Sequence, residues 1–262
     1  MRTFRQAITS GGSRIAFGLM LLSLLGLSLP EWFASRDWGA IGQPSALQLS
    51  LQPIFFGGVS LLFPFCACTV CAPLQVDDIR SGFMALRLVR SSSLRYTLCQ
   101  LAVNYTASGL CVGGAFLFHA GLCHALALPS MPEIFETHII PFSDECVYLP
   151  WFQVAHGLPI LLWVAFGMAL TGGVWATVGL AVAIWIPDKL LAISIPTFLY
   201  FVLNSQTVYM LTGLRIPYAA DLYNDALTVP IIMDSICYGL CLFLVSAVLY
   251  WFGVRRKALH AH

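Results

Sequence analysis

VDDIRSGFMALRLVRSSSLRYTLCQ, residues 76–100, decides how the rest of this chain is read. It opens on an acidic pair, Asp77 and Asp78, and goes on through Arg80, Arg87, Arg90 and Arg95. Apolar segments long enough to cross a bilayer flank it on both sides. The side of the membrane that this stretch faces therefore sets the topology of everything else.

The flanks follow from composition. The chain has 262 residues, of which 59% are hydrophobic and 10% charged; a soluble domain carries about 25% charged residues. So little charge cannot clothe a water-facing surface, and the bilayer is the expected solvent. A net charge of +1 leaves no basic body for nucleic acid. Of nine cysteines, only Cys146 falls in a clearly polar loop, which is not the pattern of a disulfide framework. The others sit in or beside apolar segments, where Cys acts as a small hydrophobe.

Working outward, spans are expected at about 53–74, with Pro64 inside it, and about 94–128. Others are expected at about 15–33, 158–186, 190–211, with Pro196 inside it, and 231–252. The start, with Arg2, Arg5 and Arg14 before an apolar run, also has the form of a signal peptide cleaved near Phe33-Ala34-Ser35. The apolar run continues to Trp32-Phe33, an aromatic pair suited to an interface, so a retained helix is the expectation; cleavage would leave five spans.

Lys and Arg then orient the chain. The N-terminus holds three, the central stretch four, the Pro187-Asp188-Lys189 turn one and the tail at Arg255-Arg256-Lys257 three. The alternate loops hold only Arg36 and Arg215. The positive-inside rule places both termini and the central stretch in the cytoplasm, in a multi-pass protein of the cell membrane. Outer loops are expected at 34–52, 129–153 and 212–230. The expected fold class is all-α, one transmembrane domain of six helices over residues 1–262.

Read as a helix over about 77–90, the central stretch puts Ile79, Gly82, Phe83, Leu86 and Val89 on one side. Asp77, Arg80 and Arg87 fall on another. The acidic pair complements a helix N-terminus and Arg90 a C-terminus. Ser91-Ser92-Ser93 breaks the pattern and can cap the next span. Two readings stay open: an interfacial helix held by anionic membrane lipid, or a docking element for a cytoplasmic protein.

No G-x-x-x-x-G-K-[ST] occurs and the only lysines are Lys189 and Lys257, so no phosphate-cradling loop is expected here. Cys66, Cys68 and Cys71 read as small packing residues rather than metal ligands. His119, His124 and His138 with Glu133, Glu136, Asp144 and Glu145 offer ligand types without compact spacing. Asn104-Tyr105-Thr106 matches a glycosylation sequon but lies at or inside a span; Asn104 is instead expected to hydrogen-bond between helices. No charge falls at the middle of a span, Asp234 coming nearest, which argues against an ion-coupled carrier.

The order Asp77-Asp78, Gly82, the apolar run Phe83 to Leu88, Ser91 to Ser93, Arg95 and Tyr96 resembles the loop between the second and third helices of ABC-2-type transporter permeases. The six-helix layout is similar, as are the basic N-terminal segment, the stretch Gly172 to Leu180 and the place of the 212–230 loop, where the family often has a re-entrant element. The sequence departs from the pattern in lacking a Pro before the Ser cluster and in having Gln100 where Lys is frequent.

The resemblance implies the permease subunit of an exporter, paired with a second permease copy or paralogue and with a separate ABC ATPase subunit. That subunit would hold ATP and Mg, leaving this chain without a cofactor, metal or catalytic residue of its own. It further implies that Asp77, Asp78, Arg80, Gly82, Phe83, Leu86, Arg87 and Arg90 form the coupling helix. The alternatives are a non-transporting assembly or sensor subunit and a secondary carrier.

Overall fold

The computed structural model of the chain describes residues 4–35, 46–55, 59–126, 157–203 and 229–259. Every element among them is a helix. They are α1 (Phe4–Ile8), α2 (Gly11–Ser35), α3 (Ala46–Phe55), α4 (Val59–Thr69) and α5 (Ala72–Arg80). After these come α6 (Phe83–Arg90), α7 (Ser93–Leu126), α8 (Leu158–Trp185), α9 (Lys189–Leu203) and α10 (Val229–Leu259).

Four stretches among the described residues are long and apolar enough to cross a membrane: Gly11–Pro30, Ser93–Ala125, Leu158–Trp185 and Cys237–Leu259. A fifth arises if Leu62–Thr69 and Ala72–Arg80, bent by 40°, count as one span. The described part of α9 has 15 residues, or about 22 Å at 1.5 Å per residue, against a hydrocarbon core of about 30 Å. All-helical architecture with several membrane-competent helices is thus observed.

The second expected span, 53–74, differs in detail. Pro53 lies inside α3, which begins at Ala46 within the expected outer loop 34–52. Pro64 is accommodated inside α4. The chain breaks instead before Pro73, which sits in the first turn of α5. Proline has no N–H to donate and its ring crowds the carbonyl four residues back, so it is favoured where a helix starts and ends the one before it. Of the expected outer loops, 129–153 and most of 212–230 lie outside the described residues, as do 36–45 of the first.

The core is organised on α8, which packs against α4, α5, α7, α9 and α10. Its closest partner is α7. A Cβ at Gly109 would meet the Ala169 carbonyl at 2.5 Å, and one at Gly113 the Ala165 carbonyl at 2.8 Å. Gly173 on α8 lies under the Tyr105 ring, where a Cβ would be 2.7 Å from ring carbons. In lipid, helices gain little from burying apolar surface against one another, so close van der Waals contact between small residues carries the association. Met20, Leu24, Phe63, Phe116, Ile160 and Met168 fill one buried cluster around this seam. A second, of Met84, Leu88, Tyr96, Leu180, Tyr250 and Val254, sits under α6.

Candidate functional site

The charged stretch of the sequence forms one end of the bundle, but not as a single helix over 77–90. Gly82 takes φ +73° and divides it into α5 and α6. That left-handed conformation costs an ordinary L-residue about 1–2 kcal/mol, and Gly adopts it freely. The division moves the acidic pair. Asp77 and Asp78 lie toward the C-terminal end of α5, where the helix dipole disfavours them, so they need cations from elsewhere.

Two ion pairs supply them, and a third joins Arg80 to Asp188. Lys189 Nζ lies 2.8 Å from Asp77 Oδ1. Arg87 Nη1 donates to Asp78 Oδ2 at 3.2 Å, and both side chains are largely buried. Arg80 Nη2 donates to Asp188 Oδ2 at 3.2 Å while its Nε donates to the Pro187 carbonyl at 2.8 Å. Asp77 and Arg80 thus clasp the α8–α9 turn by crossed charges, acid to Lys189 and base to Asp188. Asp188 also caps α9: its Oδ1 accepts the N–H of Leu190 at 2.9 Å and of Leu191 at 3.1 Å. The Leu191 N–H, then that of Leu190, then the Arg80 guanidinium hold the Asp188 carboxyl below its ordinary range.

α6 rests on the bundle through Met84 and Leu88, which are buried. Beneath it the Gln75 amide donates to the Tyr96 hydroxyl at 3.4 Å. The other apolar residues of α6 face away: Phe83 is 48% exposed, Leu86 61% and Val89 64%. The Arg87 guanidinium lies 4.6 Å from the centre of the Phe83 ring, a cation–π contact. Arg87 and Arg90 occupy the last turn, where cations are favoured. Ser92 Oγ accepts the Arg95 N–H at 3.3 Å and caps α7, as its position in the sequence predicts.

The structure therefore pairs Asp77, Asp78, Arg80 and Arg87 at one end of the bundle and sets Phe83 and Leu86 on its outer surface. Sequence reading missed Pro187, Asp188 and Lys189 as members. The available signal was the acid–base order of Asp77 and Arg80 set against the acid–base order of Asp188-Lys189.

The remaining candidates do not assemble. Cys68 donates to the Trp175 carbonyl at 3.2 Å, and among the described residues no group of three His, Cys, Asp or Glu is placed to hold a metal. His119 shares a hydrogen bond with Ser28 at 3.1 Å, and His124 Nδ1 donates to the Ala120 carbonyl at 3.0 Å. His138, Glu133, Glu136, Asp144, Glu145 and the Asp234 side chain lie outside the described residues. Asn104 is buried, and among the described residues neither nitrogen nor oxygen of its amide finds the hydrogen-bond partner expected on a neighbouring helix. No family model, curated protein or solved structure matches the chain.

Proposed function

We propose that the chain is the six-span permease subunit of an ATP-driven exporter of the ABC-2 type, and that α5 and α6 receive the ATPase. One observation carries this reading. The apolar triad Phe83, Leu86 and Val89 is turned off the bundle beside Arg87 and Arg90, while α5 is pinned to the α8–α9 turn by two ion pairs. An exposed apolar patch with a charged rim is what a docked partner covers. Pinning gives the patch a fixed direction in which to transmit force, which an anchor merely dissolved in lipid headgroups does not need. In this reading ATP binding moves the docked ATPase, α5 and α6 carry the displacement, and the α8–α9 turn passes it to α9. The energetic requirement is that the partner binds the two positions of α6 with different affinity.

Both termini and this end of the bundle are then cytoplasmic, and α9 and α10 belong to the fifth and sixth spans. The competing reading, an assembly or sensor subunit, uses the same surface without transport.

Affinity purification of the intact chain from its native membrane in mild detergent decides the matter. A co-purifying P-loop ATPase is expected. Replacing both Gly82 and Phe83 by Asp should release it while the chain still inserts and purifies. Recovery of no ATPase, or retention by the double variant, would overturn the docking.

A further inference from the structure

A groove of about 740 Å³ runs between α7, α8 and α10, a volume within the range of ligand pockets. Its wall includes Leu98, Ala102, Tyr105, Trp175, Gly239 and Phe243. Tyr105 and Phe243 close its floor edge to face, with centroids 5.5 Å apart. The Thr106 hydroxyl is turned back onto its own helix, donating to the Ala102 carbonyl at 2.7 Å. Every wall residue belongs to a membrane-competent stretch, so the medium at the groove's mouth is hydrocarbon.

Beyond one end of the groove, two of its helices turn charged. On α7, Arg95 stands 3, 7 and 11 residues before Leu98, Ala102 and Thr106, which puts it on the same stripe. On α10 the stripe Leu240, Leu244 and Ala247 continues to Trp251 and Arg255 at 4- and 3-residue steps. Tyr96 and Tyr250, one residue from Arg95 and Trp251, share a buried cluster, so these two ends meet. Arg95 and Arg255 are exposed, and among the described residues neither is in an ion pair. Arg255 lies 5.7 Å from the centre of the Trp251 ring.

We propose that this groove binds an anionic phospholipid, an acyl chain lying between α7 and α10 and the phosphate held by Arg95 and Arg255. Guanidinium groups suit phosphate because two N–H donors match two oxygens. Two unpaired cations at one end of an apolar slot select against a zwitterionic headgroup, and an apolar wall selects against free phosphate. Nothing here depends on what docks against α6; it requires only that α7, α8 and α10 lie in a bilayer.

The test uses the full chain in nanodiscs of phosphatidylcholine doped with spin-labelled phosphatidylglycerol or spin-labelled phosphatidylcholine. The motionally restricted spectral fraction should favour phosphatidylglycerol. Arg95→Gln and Arg255→Gln should each reduce that preference about five-fold. A Cβ at Gly239 meets nothing within 4 Å, so Gly239→Phe fills the groove without a clash and should lower the restricted fraction of both lipids. Gly18 on α2 is equally open, and Gly18→Phe should leave that fraction unchanged. Added inorganic phosphate should not displace the lipid. Equal restriction of the two lipids, equal effects of the two Phe variants, or displacement by phosphate would each overturn the proposal.

Discussion

Gly82 is the residue on which the charged end turns. No atom would crowd a Cβ there, so substitution exposes backbone strain alone. Gly82→Ala should lower stability by about 1–2 kcal/mol, read as thermal unfolding in detergent. Gly82→Asn should lose less, because Asn tolerates the left-handed region. The Asp78–Arg87 pair lies between the surface and buried limits for ion pairs. Asp78→Asn should cost about 1–2 kcal/mol. A cycle with Phe83→Leu should show coupling, because the Arg87 guanidinium serves both partners.

At the scale of elements, most helices follow from the sequence and their junctions do not. The expected spans 94–128 and 158–186 differ from α7 and α8 by only a residue or two at each end. Long apolar runs between polar stretches leave little freedom in where such helices begin. The break at Pro73 was harder to see, since Pro64 and Pro73 look alike in sequence and only packing decides which helix bends. The outward turn of Phe83, Leu86 and Val89 was also hidden: a helical period shows that an apolar face exists, not whether it meets the protein. The clasp joins residues more than a hundred positions apart, beyond any local pattern. The α7–α8 seam was half legible. Gly172-Gly173 stands out by composition, whereas the Gly109 and Gly113 pair needs its partner helix in view. Filling that seam should be costly. Gly113→Val should destabilise by about 1–3 kcal/mol through overpacking, while Gly114→Val, where a Cβ meets nothing, should be near neutral to unfolding.

Across the whole molecule, the clasp sets the pH response. Asp188 has a depressed folded pKa, so its contribution is complete above its unfolded value of about 3.9 and is lost as pH falls through the folded value. Labels on Ser81→Cys and Leu190→Cys should keep a constant separation from pH 8 to 5 and spread only in stronger acid. Exchanging charges offers an independent check. Asp77→Lys should loosen the same distance, and adding Lys189→Asp should restore it, with less than about 1 kcal/mol change in overall stability, as exposed pairs give.

The backbone contact at Gly109 and Gly113 has a mechanical meaning beyond affinity. Two helices whose main chains touch at two points one turn apart cannot slide without a carbonyl riding over a Cα. They therefore move as one keel. In the proposed transport reading, movement falls to what is hung on that keel, above all α9, tied to α5 at the α8–α9 turn; α10 is itself closed onto α8, where a Cβ at Gly253 would meet Ile184 at 2.6 Å. Pulsed electron resonance between α7 and α8 should give one narrow distance in every state, and between α7 and α9 a distribution that shifts.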